Sequence, residues 1–267
     1  MTYFSNKVVW LTGASSGIGE AVAYELVSQG ATLIMSSRRK DELERVKGNM
    51  DSSAHDRVKI LPLDLSKSET LPLSAEAAVQ LFGRIDILIN NGGISQRSLA
   101  RETKLEVDRA VMEVDYFGTV GLTKSLLPHF IKRKQGHIVT VTSVIGKIGT
   151  PYRSGYAAAK HALHGFFDSL RAEVWKDNIY VTLILPGWIR TNVTLNALTG
   201  DGSKLNEMDH STDAGLRPEE LAKKMLKAIA GKKREVYIGG MKEWLAITVK
   251  RFTPGLFAKI IRNAKVR

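Results

Sequence analysis

The sequence contains no cysteine, only seven prolines and no long apolar run. The absence of cysteine excludes a disulfide framework, thiolate catalysis and cysteine-based metal sites. No stretch reaches the roughly 18 apolar residues of a membrane-spanning helix, and the N-terminus lacks the pattern of a secretory signal. There is also no linker rich in proline or serine and no internal repeat. These absences predict a cytoplasmic protein built on one main domain.

Short apolar runs alternate with longer amphipathic stretches along the 267 residues. Strands that alternate with helices are typical of parallel βαβ units. The chain therefore predicts an α/β fold in which a doubly wound, Rossmann-type parallel sheet of seven strands is flanked by helices. The predicted strands are 8–12, 32–36, 58–62, 85–90, 137–142, 180–185 and 235–238.

The stretches between these strands are long enough for helices. The predicted helices are 19–29, 73–82, 106–133, 155–176 and 218–231. Residues 191–216 are polar and lack clear periodicity, which is typical of a lid or substrate loop. We assign residues 1–240 to one main domain that includes this loop, and residues 241–267 to a C-terminal extension.

A glycine-rich string, TGASSGIG, directly follows the first predicted strand and directly precedes a helix. Glycines at such a turn let the backbone approach a pyrophosphate that lies at the helix N-terminus. The spacing differs from the usual G-x-G-x-x-G fingerprint, but the same mechanics apply. The residues of this turn that we predict to bind a dinucleotide are Gly13, Ser15, Ser16, Gly17, Ile18 and Gly19.

Two arginines, Arg38 and Arg39, follow the second predicted strand, where this kind of fold meets the adenosine ribose. A carboxylate there would bind the ribose hydroxyls of NAD, whereas a guanidinium matches a 2′-phosphate. The pair therefore predicts NADP(H) as the cofactor. The alternative is that both residues simply begin a solvated helix.

A tyrosine and a lysine stand four residues apart in the string YAAAK, at Tyr156 and Lys160, and Ser143 lies 13 positions earlier. At a spacing of four the two side chains share one helix face, and an ammonium beside a phenol favours the phenolate. This arrangement suits a general acid, with the Ser143 hydroxyl orienting a carbonyl oxygen. A tyrosine and a lysine four residues apart also occur by chance in many helices, so the pair alone is weak evidence for a catalytic site.

Taken together, these motifs resemble the short-chain dehydrogenase/reductase family. The other matching strings are Asn90-Asn91-Gly92-Gly93 and Pro186-Gly187, and the resemblance covers roughly residues 5 to 240. The strings NNGGISQRS, KQGHIVTVTSVIGKIG and TPGLF are most similar to its dehydrogenase/reductase member 7 branch.

The resemblance implies roles for residues that the spacing alone does not assign. It implies hydride transfer between nicotinamide and a carbonyl carbon, with Tyr156 exchanging the proton and Lys160 holding the nicotinamide ribose. It also implies a homodimer or homotetramer that pairs through the helices after the fourth and fifth strands. The further cofactor-binding residues that it implies are Asp64, Leu65, Asn91, Gly92, Gly93, Pro186, Gly187, Ile189 and Thr191.

One departure from the family pattern concerns the fourth catalytic position, where an asparagine is common and this chain has Asp115. A carboxylate accepts hydrogen bonds but cannot donate an amide proton. A charge at Asp115 would favour the Lys160 ammonium and oppose the Tyr156 phenolate, and the sequence does not rank these effects. We expect a working enzyme with an altered proton relay.

The net charge of +12 is uneven, because residues 242–267 hold seven Lys or Arg and one Glu. Thr253 and Pro254 read as the start of a helix whose apolar residues, Leu256, Phe257, Ile260, Ile261 and Ala264, recur at helical spacing. Such a basic amphipathic helix either docks on an anionic membrane surface or packs on its own domain or a subunit partner. Nucleic-acid binding is not expected, because no recognition motif accompanies the charge.

The function predicted from the sequence is the NADP(H)-dependent interconversion of an apolar carbonyl compound and its alcohol. Retinoids, steroids and lipid-like carbonyls are the candidate substrates. Tyr152, Arg153 and Trp188 are candidates for the pocket wall. The histidines do not group with acids, so we expect no metal site. A dinucleotide-binding sensor or scaffold without turnover is the alternative from another class, and an epimerase or dehydratase is the enzymatic one.

Overall fold

The computed structural model describes residues 2–262 and residue 264, without the side chains of residues 210 and 211. Within these residues seven strands form one parallel sheet in the order β3-β2-β1-β4-β5-β6-β7. The strands are β1 (Val8–Thr12), β2 (Thr32–Ser36), β3 (Val58–Ile60), β4 (Ile87–Asn90), β5 (Gly136–Val141), β6 (Ile179–Pro186) and β7 (Glu235–Ile238). The predicted doubly wound sheet is confirmed.

Helices cover both faces of this sheet, as the apolar strands require. They are α1 (Gly17–Ser28), α2 (Lys40–Gly48), α3 (Leu71–Phe82), α4 (Leu105–Met112), α5 (Thr119–Arg133), α6 (Ser154–Glu173), α7 (His210–Asp213), α8 (Pro218–Ala230), α9 (Met241–Phe252) and α10 (Pro254–Ile261). Strand β1 illustrates the layering, because Val9 and Leu11 join one core cluster and Trp10 joins the other. Strands buried on both faces read as continuous apolar runs, which is why the sequence identified them.

Some predicted boundaries were wrong. The third strand ends at Ile60 and not at Pro62, although the Leu61 and Leu63 amides still donate to the carbonyl oxygens of Met35 and Ser37. The predicted helix 106–133 is divided into α4 and α5 by a π-helical turn at Glu113–Gly118. The predicted helix 155–176 ends at Glu173.

Two segments that were predicted without helices contain them. Helix α2 was missed, and its start at Lys40 directly follows Arg39. The loop 191–216 holds the short helix α7 and is tied to the body of the protein by the isolated bridges Gln96↔Leu198 and Ile189↔Leu216. None of the helices in residues 2–262 and 264 is long and apolar enough to cross a bilayer.

The C-terminal helices α9 and α10 pack on the protein next to the predicted catalytic residues. Phe257 is buried in a small core cluster with Val144, Ile145 and Ala157, and Ile261 packs against the same cluster. Leu256 and Ile260 on the other side of α10 are 52% and 54% exposed. The helix therefore divides its apolar residues between the protein and the surface. Residues 263 and 265–267 of the predicted extension lie outside the described residues.

Candidate active site

A cleft opens at the carboxyl edge of the sheet, beside β1 and β4, where the strand order reverses. In open α/β sheets this switch point is where ligands bind. The cleft has an empty volume of about 720 Å³ including its open mouth. The predicted residues that line it are Ile18, Asn91, Gly93, Ser143, Tyr156, Lys160, Pro186, Gly187, Ile189 and Thr191. The remaining predicted residues are not part of this lining, and their positions are described below.

The glycine-rich turn joins β1 to α1 with a backbone that only glycine adopts easily. Gly13 and Gly17 have φ values of +66° and +58°. A Cβ on Gly13 would lie 2.8 Å from the Asn91 side-chain nitrogen, so the turn has no room for one. Ser16 is the N-cap of α1, but its side chain makes no capping hydrogen bond. The first amides of α1 are therefore without a side-chain cap at this end of the cleft.

Asn91 ties the ends of β1 and β4 together. Its side-chain amide donates to the carbonyl oxygens of Thr12 and Gly13 at 3.1 and 3.2 Å. The Thr12 hydroxyl oxygen in turn accepts from the backbone amides of Asn91 and Gly92, both at 3.0 Å. Thr12 was part of the quoted string but was not predicted as a site residue. It fixes the distance between the two strands that border the cleft.

The end of β2 carries the predicted ribose-facing arginines on the surface. Arg38 and Arg39 are exposed, and neither forms an ion pair with another described residue. The Arg39 guanidinium lies 3.4 and 3.5 Å from the hydroxyl oxygens of Ser15 and Ser16, so it reaches back to the glycine-rich turn. The Arg38 charge acts on Asp64 and contributes to lowering the pKa of that carboxyl.

Asp64 and Leu65 follow β3 and have different surroundings. One oxygen of Asp64 accepts hydrogen bonds from the amide and hydroxyl of Ser66 at 3.0 and 2.8 Å. Burial works to raise the pKa of Asp64, and the two bonds from Ser66 outweigh it, so the pKa is lowered. The Leu65 side chain is 8% exposed and packs in the core. The Leu65 backbone carbonyl oxygen packs closely against Gly118.

Ser143, Tyr156 and Lys160 meet at the other end of the cleft. Ser143 follows β5, and its hydroxyl oxygen accepts the Ile145 amide at 3.2 Å. Tyr156 and Lys160 lie one turn apart near the start of α6, and the ammonium is 5.5 Å from the centre of the phenol ring. The ammonium also lies 3.5 Å from the Val141 carbonyl oxygen. The predicted spacing therefore does bring these three side chains to one wall.

Asp115 lies behind Lys160 and is fully buried. One carboxylate oxygen is 3.0 Å from the Lys160 ammonium, and the other accepts the Ile94 amide at 2.7 Å. Burial works to lower the pKa of Lys160, but the neighbouring carboxylate outweighs it, so the pKa is raised. The π-helical turn at Glu113–Gly118 positions Asp115, and such turns are frequent at functional sites.

The sequence reading missed two charged residues of the cleft region. Arg97 lines the cleft, and Asp209 forms an ion pair with it at 3.2 Å. Arg153 and Trp188, which were candidates for the wall, also line the cleft, with the guanidinium 4.5 Å from the centre of the indole ring. In residues 2–262 and 264 no group of three or more His, Asp or Glu side chains is placed to hold a metal ion.

The fold is that of solved short chain dehydrogenases in complex with NAD or NADP. A short chain dehydrogenase/reductase of Burkholderia phymatum, solved with NAD, matches with a TM-score of 0.84 at 22% identity, over 96% of both chains. A short chain dehydrogenase of Burkholderia cenocepacia, solved with NADP, matches with a TM-score of 0.78 at 25% identity. That match covers 98% of this chain and 99% of the other.

Sequence comparison defines the class more closely. The family described as short chain dehydrogenase matches residues 7–201. The chain therefore belongs to the short chain dehydrogenase family of oxidoreductases. It is 44% identical over 266 residues to the Anopheles gambiae dehydrogenase/reductase SDR family protein 7-like, covering 98% of this chain and 84% of the relative. It is 41% identical over 264 residues to Mus musculus member 7B, covering 98% and 82%. These relatives place it in the member 7 branch.

Proposed function

We propose that the protein is an NADP(H)-dependent oxidoreductase that interconverts an apolar ketone or aldehyde and its alcohol. Retinoids, steroids and lipid-like carbonyls remain the candidate substrate classes. The observation that carries the proposal is the single cleft lined by Ser143, Tyr156 and Lys160 at one end and by Ile18 and Asn91 near the glycine-rich turn. Related structures that hold NAD or NADP support a nicotinamide dinucleotide as cofactor.

The residues of the turn fit such a cofactor. The uncapped start of α1 can accept a pyrophosphate, and a Cβ on Gly17 would come within 3.1 Å of Thr191, so the turn and the start of the loop lie close together. The exposed Arg38 and Arg39 fit a ribose 2′-phosphate better than free hydroxyls. When bound, NADP(H) supplies or accepts the hydride.

The protein's own residues then handle the substrate oxygen and its proton. The Ser143 oxygen accepts the Ile145 amide, which leaves its hydrogen to donate to a carbonyl oxygen. Tyr156 donates the proton to that oxygen during reduction and takes it back during oxidation. The Lys160 ammonium, held by Asp115, keeps a positive charge beside the phenol and can bond a ribose hydroxyl.

Asp115 would occupy the relay position behind Lys160. Its full burial and its 3.0 Å contact with the ammonium support this role. We expect Asp115→Asn to change the pH profile of turnover, because the variant removes the counter-charge of Lys160. A profile that matches the wild type would exclude a role for the Asp115 charge in the relay.

Turnover by the purified protein tests the proposal. NADPH oxidation is followed against retinal, steroid ketones and lipid-like carbonyls, with Tyr156→Phe as the inactive variant. Tyr180→Phe serves as the matched control, since Tyr180 is 36% exposed on β6 and does not line the cleft. Turnover that is lost only in Tyr156→Phe supports the reductase. Tight NADPH binding without turnover of any carbonyl would favour the sensor or scaffold.

We also propose a homodimer or homotetramer formed through α4, α5 and α6. Leu105 and Phe117 in this region are 58% and 51% exposed, so this surface offers apolar side chains to a partner subunit. Light scattering after size-exclusion chromatography should give a multiple of 29.5 kDa. Phe117→Asp should shift the mass towards the monomer, and a monomeric wild type would contradict this assembly.

A further inference from the structure

Two guanidinium groups are buried in the wall of the cleft. Arg97 lies between β4 and α4, Arg153 directly precedes α6, and they are 4% and 6% exposed. Both line the cleft together with Tyr156. Arginine is almost never fully buried unless it is paired, so two of them beside a catalytic tyrosine need an explanation.

The charge of this pair is only partly balanced. The carboxylate of Asp209 lies 3.2 Å from Arg97 and 3.9 Å from Arg153. Asp209 also accepts the Thr194 hydroxyl at 3.0 Å and the Thr212 amide at 2.7 Å. The three charged groups sum to one positive charge. The carboxylate is shared among several donors, and Arg153 has the longer of the two ion-pair distances.

Several donors of the pair have no acceptor. Nε of Arg97 and both Nε and Nη2 of Arg153 are buried without a hydrogen-bond partner among the described residues. Burial, followed by the neighbouring Arg97 charge, lowers the pKa of Arg153 to about 9. Buried donors without a partner are rare because each carries a desolvation penalty. The Arg153 guanidinium stacks on Trp188 at 4.5 Å, which fixes its plane.

We propose that Arg153, supported by Arg97, binds an anionic group of the substrate, a carboxylate or a phosphate. An anion in the cleft would neutralise the remaining positive charge and meet the guanidinium in the planar geometry that this group favours. Arg153 and Tyr156 are three residues apart at the start of α6, so the anion and the reacting carbonyl lie on the same wall. This inference rests on the proposed carbonyl reduction and narrows its substrate to an oxo acid or an oxo phosphate.

Matched substrate pairs test the proposal with the full chain and NADPH. One pair is 4-oxononanoate and its methyl ester, and the other is the phosphate ester of 1-hydroxy-2-octanone and the free hydroxyketone. We expect kcat/KM to favour one anion over its neutral partner at least tenfold. The pair that shows the preference identifies carboxylate or phosphate as the recognised group.

Arginine variants locate the preference. Arg153→Gln should raise KM for the anionic substrate about 10- to 100-fold, as expected for a lost charge-assisted bond, and leave KM for the neutral partner within about twofold. Arg153→Lys should retain part of the preference, because it keeps the charge but loses the planar fork. Arg101→Gln is the matched control, since its side chain is 81% exposed.

Two results would overturn the proposal. Neutral substrates reduced as well as the anionic ones by the wild type would exclude an anion site, and so would a preference that survives in Arg153→Gln. If no carbonyl is reduced at all, the proposed function fails separately. Titration of nonanoate and octyl phosphate into the NADPH-bound protein by calorimetry then decides the inference. Binding that is lost in Arg153→Gln supports it, and absent binding refutes it.

Discussion

The cofactor preference gives the most direct test of the site. Arg38 is exposed at the end of β2 and forms no ion pair with another described residue. Arg45 on the following helix instead forms ion pairs with Glu20 and Glu42, both at 2.9 Å. A free guanidinium can bond a 2′-phosphate without first breaking another interaction. We therefore expect Arg38→Ala to weaken NADPH binding and to leave NADH binding unchanged.

The size of the effect follows from the contact that is lost. A hydrogen bond to a charged group contributes about 1.5–3 kcal/mol, which corresponds to roughly 10- to 150-fold in the dissociation constant. Arg39→Ala should have a smaller effect, because that guanidinium already lies 3.4 and 3.5 Å from the hydroxyls of Ser15 and Ser16. Ser37→Asp should move the preference towards NADH, since a carboxylate there repels the phosphate and accepts from ribose hydroxyls.

Fluorescence titration with NADPH and NADH measures both affinities without requiring turnover. Arg101→Ala is the control for removal of a surface charge, because its side chain is 81% exposed on a different part of the surface. A ratio of NADPH to NADH affinity that is the same in Arg38→Ala and in the wild type would refute the assignment. In that case the two arginines would only begin α2.

Three further predictions concern catalysis, stability and the C-terminus. Tyr156→Phe should lower kcat by about 10²- to 10⁴-fold without weakening NADPH binding by titration. Burial works to raise the pKa of Asp86, yet hydrogen bonds from Arg133 and others outweigh it and lower the pKa. The stabilisation of the fold by the ionised Asp86 carboxylate is present above about pH 3.9 and is lost as the pH falls. Asp86→Asn should therefore lower the free energy of unfolding, measured with urea, by about 3 kcal/mol at pH 7 and by less at pH 3. Replacing Leu256 and Ile260 by Asp should weaken co-sedimentation with anionic vesicles, and no change would contradict docking through α10.

The parts of the fold that the sequence predicts are those with a strong local signal. Strands β1, β2 and β7 have the predicted ends because their apolar runs are bounded by polar or glycine residues. Helix α2 was missed because only Leu43 and Val46 of its nine residues are buried, which gives almost no apolar periodicity. The π-helical turn in the predicted helix 106–133 was also missed, since Asp115 owes its position to partners far along the chain.

The residues of the site also differ in whether a local sequence pattern predicts them. The glycine-rich turn, Ser143 and the Tyr156–Lys160 pair could be predicted as site residues because each is a short string at the end of a strand or on a helix. The Arg97–Asp209 ion pair joins residues 112 positions apart, and no local pattern relates them. The available signal was an arginine four residues after Gly93, in the segment that follows the predicted strand 85–90. The position of Arg97 indicates that it lies near the cleft, but it does not identify Asp209 in the loop 191–216 as the partner of Arg97.

Asp115 shows how geometry resolves a question that the sequence leaves open. Its two oxygens face two donors, the Ile94 amide at 2.7 Å and the Lys160 ammonium at 3.0 Å. An asparagine in the same place has one acceptor oxygen, so its NH₂ group would face either the amide or the ammonium, and one contact would oppose donor to donor. The carboxylate therefore presents an acceptor oxygen to each of the two neighbours. The carboxylate outweighs burial and raises the pKa of Lys160, which keeps a positive charge beside Tyr156. This supports the proposal that the phenol, and not Lys160, exchanges the substrate proton.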